Sequence, residues 1–125
     1  MRVYATRWFS RFAKSERISD SRLCEAIERA GRGMLDADLG RGLIKQRHAR
    51  PGQGRRGGYR VLILIAYRAG DRAVFLYGFA KSERDNVNPS QLAEWQSRAR
   101  DVLAASQEAI ERLIADDELR EVYCD

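Results

Sequence analysis

The residues best suited to chemistry form a basic block in the middle of the chain. No acidic residue occurs between Leu39 and Gly70. The same stretch holds eight basic residues: Arg41, Lys45, Arg47, Arg50, Arg55, Arg56, Arg60 and Arg68. A charged face that serves only solubility usually mixes both signs. A block of this density is instead typical of a protein that binds a polyanion such as nucleic acid.

Two of these cations should lie side by side on one strand. We predict a strand over Leu39–Ala49, and the side chains of a strand alternate between its two faces. One face would carry Leu43, Lys45, Arg47 and Ala49, and the other Ile44, Gln46, His48 and Arg50. Lys45 and Arg47 would then be ~7 Å apart, which suits neighbouring phosphate oxygens. Arg60 would join them if the 51–58 loop closes a hairpin, and its planar fork can donate two hydrogen bonds to phosphate.

Few residues of this region could transfer a proton. His48 is the only histidine, and neighbouring cations should lower its pKa and keep it neutral, as a base must be. The alternation places His48 on the face opposite Lys45 and Arg47, so a catalytic role and a bystander role both stay open. Lys81 follows the last central strand in a polar segment and should be exposed. Tyr59 could stack on a base or belong to the core.

The absence of familiar motifs excludes several enzyme classes. The sequence has no metal-ligand cluster, P-loop, dinucleotide fingerprint or nucleophile triad, so we expect no metal and no other cofactor. An enzyme that relies on cations alone could cleave RNA, because the RNA 2′-hydroxyl is itself the nucleophile. The protein then has to align the attack, stabilise the charged phosphorane and protonate the leaving oxygen. DNA lacks this internal nucleophile and would be much harder to cleave.

Hydrophobic periodicity and start signals predict the elements that position these residues. The predicted elements are strand 2–6, helix 7–14, a helix after the Ser19 cap that ends near Gly31 or Gly33, strands 39–49, 59–68 and 73–81, a helix after the Asn88 cap, helix 107–116 and strand 119–123. Consecutive strands joined by tight turns favour an antiparallel sheet. We therefore predict an α+β fold with an antiparallel central sheet, two N-terminal helices and C-terminal helices. Helices from both ends of the chain would cover one face and leave the other free for charged residues.

Length and composition fit one small domain. The 125 residues are expected to form a single domain, 1–125. No apolar run is long enough to cross a membrane, and the N-terminus lacks the apolar core of a signal peptide. Cys24 and Cys124 match no metal or redox spacing, which predicts two reduced thiols in a cytoplasmic protein. Residues 101–125 hold eight acids against two bases, an acidic C-terminal extension that could pair with the basic face or be solvated.

Three segments resemble one family of bacterial proteins. They are Gly42–Arg47 (GLIKQR), Pro51–Val61 (PGQGRRGGYRV) and Gly78–Arg84 (GFAKSER). Together they resemble the RelE/HigB superfamily of toxins from type II toxin–antitoxin systems. The similarity is greatest to the subgroup with a Pro-Gly-x-Gly-x-x-Gly-Gly-Tyr-Arg loop and a Tyr-Gly-Phe-Ala-Lys strand. The motifs lie within residues 40–90, and the predicted order of elements extends the similarity along the chain.

The resemblance implies a small RelE-like fold and a metal-independent endoribonuclease that cleaves mRNA on the ribosome and inhibits translation. It also implies neutralisation by a cognate antitoxin, often one with a helix-turn-helix domain in the HigB-like branch. Lys45 and Arg47 match the family's phosphate-binding pair, and Arg60 matches the arginine that steadies the scissile phosphate. Lys81 and Arg84 match the basic residues after the fourth strand.

Two family positions differ between branches. The HigB branch uses a histidine, for which His48 is the candidate, whereas Asn88 aligns with the base-stacking tyrosine of the RelE branch and cannot stack. The expected site residues are, for catalysis, Lys45, Arg47, Arg60, Lys81 and His48, and, for RNA binding, Arg41, Arg50, Arg55, Arg56, Arg84 and Tyr59.

Two other functions use the same cations. One is a non-catalytic RNA- or ribosome-binding module, which includes a decayed toxin, and the other is a protein-interaction domain whose basic groove receives an acidic peptide. RNA binding predicts an affinity that falls steeply with salt, because phosphate contacts release counterions. Cleavage separates the toxin from the binding module. The interaction domain predicts tight protein binding and negligible affinity for RNA.

Overall fold

The computed structural model describes residues 1–49, 60–80 and 88–124, and leaves the side chains of Ala49 and Arg60 aside. Its elements are β1 (Arg2–Thr6), α1 (Arg7–Ser15), α2 (Asp20–Gly31), β2 (Ala37–Gly40), β3 (Leu43–Ala49), β4 (Arg60–Arg68), β5 (Arg72–Ala80), α3 (Pro89–Ala104), α4 (Gln107–Ala115) and β6 (Leu119–Val122). The predicted α+β class is confirmed, and the elements follow the predicted order except that two strands replace the one predicted over 39–49. Both predicted caps are also confirmed: the Ser19 hydroxyl accepts from the backbone of Arg22, and Asn88 forms a capping box with Gln91.

The six strands form one sheet in the order β2-β3-β4-β5-β1-β6. Strands β2 to β5 form an antiparallel meander, and β6 is antiparallel to β1. The exception to the predicted antiparallel arrangement is β1, which runs parallel to β5, with Val3 opposite Ala73. No tight turn joins these two strands, so nothing local forces them to be antiparallel.

Helices cover both faces of this sheet, so the prediction of one free face is wrong. Helices α1 and α2 pack on one face through residues such as Phe9 and Leu23, and we call this the N-helix face. Helices α3 and α4 pack on the other through residues such as Leu103 and Ile110, which we call the C-helix face. The reason lies in β4, whose uninterrupted apolar run buries alternate side chains on both faces.

The predicted strand 39–49 is in fact a hairpin. It consists of β2 and β3, joined at a turn where Gly40, Arg41 and Gly42 have φ of 87°, 56° and 84°. These left-handed values favour glycine, and a Cβ on Gly42 would also come within 2.6 Å of the Leu103 side chain. The hairpin places the chain just before β2 beside the middle of β3.

A β-bulge in β5 changes which side chains share a face. Leu64 pairs with Tyr77 and Ile65 pairs with Phe75, so Leu76 is the extra residue of β5. As a result Leu76 and Tyr77 both belong to the C-helix face, whereas Phe75 belongs to the N-helix face.

The C-terminal segment is tied to the N-terminal part of the chain. Strand β6 lies beside β1, Glu121 pairs with Arg2 at 2.8 Å, and Glu118 pairs with Arg7 at 2.9 Å. Cys24 and Cys124 form a disulfide, so the prediction of two reduced thiols is wrong. Their 100-residue separation in sequence gave no indication of their proximity, which results from the pairing of β6 with β1. No helix of the described residues is long and apolar enough to cross a membrane.

Candidate nucleic-acid interface

Lys45 and Arg47 lie side by side on β3, as the alternation predicts. They share the C-helix face with Leu43, whereas Ile44 belongs to the N-helix face. The carboxylate of Asp36, one residue before β2, binds both cations. Its Oδ2 lies 3.2 Å from Nζ of Lys45 and its Oδ1 lies 2.6 Å from Nη2 of Arg47. One anionic group therefore already spans the two cations.

The hairpin explains why Asp36 reaches this position. Ala37 pairs with Lys45, and the backbone N–H of Asp36 donates to the carbonyl of Lys45 at 2.9 Å. The carboxylate is 18% exposed, the Lys45 side chain 11% and the Arg47 side chain 44%. Burial alone would raise the pKa of Asp36, but the hydrogen bond from Lys45 and the charge of Arg47 outweigh it and lower that pKa. Asp36 is thus a carboxylate that stays ionised.

Asp36 is the residue of this site that sequence reasoning misses. It lies outside the acid-free block by only a few residues, and no cation pattern includes it. A signal was available in principle, because a Gly-x-Gly turn after position 39 would fold positions 36–39 back onto 43–46. Reading 39–49 as one continuous strand hid that possibility.

The sheet face beside the cation pair is apolar and buried. Across the sheet Lys45 is opposite Leu64 and then Tyr77, while Arg47 is opposite Leu62 and then Phe79. Leu62, Leu64 and Phe79 are buried, and Tyr77 is half-buried. The two cations therefore lie at the margin of an apolar sheet face that continues toward β5.

The structure does not bring His48 together with Lys45 and Arg47. Its side chain is 4% exposed on the N-helix face. Nη2 of Arg29 lies 3.1 Å from its Nε2, and a guanidinium only donates, so this nitrogen accepts and the ring is neutral. Burial, followed by the charges of Arg29 and Arg22, lowers the pKa of His48 to about 4.

Arg41 is also separate from the pair. It lies in the exposed turn between β2 and β3, six residues before Arg47. At the rise of a strand this corresponds to ~20 Å.

The remaining expected site residues lie at the other end of the meander or outside the described residues. The backbone of Arg60 begins β4 opposite Ala49, two positions from the partner of Arg47. β5 ends at Ala80, which pairs with Val61 next to Arg60. The predictions for Arg50, Arg55, Arg56, Tyr59, Lys81 and Arg84 concern residues outside the described ranges.

A known family matches almost the whole chain. The family model described as the RelE toxin of the RelE/RelB toxin–antitoxin system matches residues 1–122. The chain belongs to the RelE toxin family. A comparison with curated proteins gives no match. RelE membership agrees with the six-stranded α+β fold and implies an antitoxin as partner. The family match extends through α4 and β6, the two elements formed by the acidic end of the chain.

Proposed function

We propose that this RelE-family protein is a metal-independent endoribonuclease that cleaves mRNA on the ribosome and thereby inhibits translation. Its site of action would be the cytoplasm, and a cognate antitoxin would neutralise it. The observation that carries the proposal is the Lys45–Asp36–Arg47 arrangement, in which two cations on one strand hold one anionic group. A phosphate offers the same paired oxygens as a carboxylate, with at least as much negative charge.

The proposed reaction uses the nucleophile of the RNA. The 2′-hydroxyl gives its proton to water as its oxygen forms a bond to phosphorus, the bond from phosphorus to the 5′-oxygen breaks, and a proton passes to that 5′-oxygen, leaving a 2′,3′-cyclic phosphate and a 5′-hydroxyl. Lys45 and Arg47 stabilise the additional charge on the phosphorane. Arg47 is the more exposed of the two, so we expect it to exchange Asp36 for the phosphate.

The remaining roles rest on the family resemblance. Arg60 would steady the scissile phosphate, and Lys81 would supply the proton to the leaving oxygen. Arg50, Arg55, Arg56, Arg84 and Tyr59 would bind the flanking RNA. The motifs match the subgroup with the Pro-Gly-x-Gly-x-x-Gly-Gly-Tyr-Arg loop, and the antitoxin would be of the helix-turn-helix type that is frequent in the HigB-like branch. Arg41 has no part in this proposal because it lies at the far end of β3.

The test compares cleavage by matched variants on purified ribosomes programmed with a defined mRNA. Arg47→Gln removes one cation of the Lys45–Arg47 pair. Arg112→Gln removes an exposed cation of α4 and serves as control. We expect Arg47→Gln to lower the cleavage rate at least ~100-fold, because a charge-stabilising group in the transition state contributes on that scale, while Arg112→Gln is unchanged. Equal cleavage by Arg47→Gln and wild type, with both folded, would refute the site.

A second function is favoured by the position of His48. The only histidine of the chain is buried and neutral on the opposite face, so it cannot serve the Lys45–Arg47 site from there. If no other group transfers the proton, the protein is a non-catalytic RNA- or ribosome-binding module. Binding of ribosomes that Arg47→Gln weakens, without mRNA cleavage by wild type, would establish this alternative.

A further inference from the structure

Four aromatic rings form a continuous row from α3 across β5 to α1. The ring of Trp95 stacks on Tyr77 with centroids 4.8 Å apart, Tyr77 contacts Trp8 at 4.4 Å, and Trp8 stacks on Phe12 at 5.5 Å. Trp8 is nevertheless 46% exposed. An indole with this degree of exposure, held between fixed neighbours, presents a rigid apolar surface to solvent.

Three of these rings, Trp8, Tyr77 and Trp95, line a cleft on the C-helix face. The cleft has a volume of about 970 Å³, with α1 as one wall, α3 as the other and β5 as its floor. The bulge at Leu76 creates this floor, because it turns Leu76 and Tyr77 toward the same side. Trp8 and Trp95 stand on opposite walls with the Tyr77 ring between them, and a planar group entering the cleft meets the exposed part of Trp8.

The cations of the cleft are concentrated on the α1 wall. Arg7 and Arg11 line the cleft, are exposed and lie four residues apart, and the helix contains no acid. Such residues lie on one helical face. Arg7 is paired with Glu118, but Arg11 has no ion-pair partner in the part of the chain that the structure describes.

The acids of the cleft are already engaged, and the opposite wall is also partly cationic. Glu118 is bound to Arg7 at 2.9 Å, and Asp101 lies 3.8 Å from Arg100. On the α3 wall Arg98 covers the Trp95 ring, with its Cζ 4.8 Å from the ring centroid. Stacking surfaces lined by cations are the combination that single-stranded nucleic acids require.

The cleft and the Lys45–Arg47 site lie on the same sheet face, with α3 packed on the strands between them. Tyr77, in the floor of the cleft, is opposite Leu64, and Leu64 is opposite Lys45. Lys45 therefore lies two strands from the aromatic row, ~10 Å away, on the same sheet face. A single strand whose phosphate contacts Lys45 and Arg47 would pass around α3 to reach the cleft, because Leu64 between them is fully buried.

We propose that the cleft between α1 and α3 is a subsite for single-stranded RNA. The exposed part of Trp8 stacks on a base that flanks the cleaved position, and Arg11 binds the adjoining phosphate. The proposal rests on the proposed function, since it extends the same substrate beyond the reacting phosphate. It predicts that affinity for RNA depends on α1, an element that the sequence motifs leave out entirely.

The two tryptophans are the only ones in the chain, so the intrinsic fluorescence reports on this cleft. The probe is a short 2′-O-methyl oligoribonucleotide, which binds but cannot be cleaved for lack of the nucleophile. We expect it to quench the fluorescence of wild type. Trp8→Ala should weaken binding about fivefold or more, as base stacking on an aromatic ring predicts. Arg11→Gln should lower the salt dependence of binding by about one phosphate contact.

Arg112→Gln is the matched control, and the thermal unfolding of each variant excludes loss of fold. Because Arg11 is exposed and unpaired in the described ranges, Arg11→Gln tests the cleft even if Trp8→Ala is unstable. Weakening by Arg11→Gln but not by Arg112→Gln supports the subsite.

If Arg47→Gln lowers cleavage while Arg11→Gln and Trp8→Ala leave RNA binding and its salt dependence unchanged, the subsite is wrong and the proposed function stands. Quenching by an acidic peptide but not by the oligonucleotide would also overturn it, in favour of a protein-docking cleft.

Discussion

At the scale of single residues, Asp36 determines how the cation pair behaves. The side chain of Lys45 is only 11% exposed and lies beside Arg47. Without the carboxylate of Asp36, its ammonium group would be nearly buried next to a second positive charge. Asp36 offsets that repulsion and holds both side chains in one direction, but it also occupies the position that a phosphate would take. The carboxylate of Asp36 therefore stabilises the fold but competes with RNA for the cation pair.

Asp36→Asn should change stability and RNA affinity in opposite directions. We expect it to lower the free energy of unfolding at neutral pH by about 1–3 kcal/mol, because a buried charged donor loses its ionised partner. RNA should bind more tightly, because an amide competes less well with phosphate. The measurements are urea unfolding and oligonucleotide titration, with Glu111→Gln as control, because Glu111 is exposed and has no ion pair among the described residues. Weaker RNA binding by a folded Asp36→Asn protein would contradict this account.

The same variant changes the response to acid. The pKa of Asp36 is lower in the folded protein than its ordinary value, so its contribution is present above the ordinary pKa of about 4 and is lost as the pH falls through the folded value. Asp20 and Glu121 behave likewise through Arg120 and Arg2. Wild type should therefore lose more stability than Asp36→Asn between pH 5 and pH 3, although both become less stable. Equal losses would show that Asp36 has an ordinary pKa.

At the scale of elements, the position of α1 depends on one glycine of β5. Thr6 ends β1, caps α1 through the N–H of Phe9, and donates its hydroxyl to the carbonyl of Leu76 at 3.1 Å. Helix α1 thus starts beside the bulge and runs along the end of β5. A Cβ added to Gly78 would meet the ring of Phe12, and that ring stacks on Trp8.

Gly78→Ala should therefore destabilise the protein and disturb the aromatic row. We expect a loss of about 1–3 kcal/mol, typical of an overpacked core, together with a changed tryptophan emission. Gly31→Ala is the control, because its Cβ would have no neighbour closer than 3.6 Å. Adding Phe12→Leu to Gly78→Ala should recover part of the loss, a coupling that urea unfolding of the double variant measures. Strictly additive losses would show that the two positions do not meet.

The elements also show what could be derived from the sequence. Caps at Ser19 and Asn88, and the apolar runs of β4 and β5, are local signals, and the helices and central strands they predict are present. The turn at Gly40–Gly42 and the bulge at Leu76 depend on a few backbone angles and on pairing across the sheet. Hydrophobic alternation does not encode these features. The positions of Asp36 and Tyr77 follow from them, so the cation pair was predictable while its carboxylate partner and the cleft were not.

At the scale of the whole molecule, the chain ends beside α2. Strand β6 returns to β1, and the Cys24–Cys124 disulfide fastens the end of the chain to α2 across 100 residues of sequence. Closing so long a loop restricts the unfolded chain, which is the main way a disulfide stabilises a fold. The proposed site of action, the cytoplasm, is an environment in which disulfides are usually reduced. The stability of the fold therefore has to be measured with the disulfide both formed and reduced.

Removing the disulfide should weaken the fold without changing the chemistry. In buffer without reductant, we expect the free energy of unfolding of Cys24→Ser/Cys124→Ser to be about 2–4 kcal/mol lower than that of wild type. Wild type in buffer with reductant should lose the same amount. RNA cleavage should be equal for folded protein in both states, because Cys24 lies on α2 and the cation pair lies on the opposite sheet face. Urea unfolding and the ribosome cleavage assay, each with and without reductant, provide the comparison. If fully folded protein cleaves RNA at different rates with the disulfide formed and reduced, the α2–β6 junction is instead coupled to the site through the sheet.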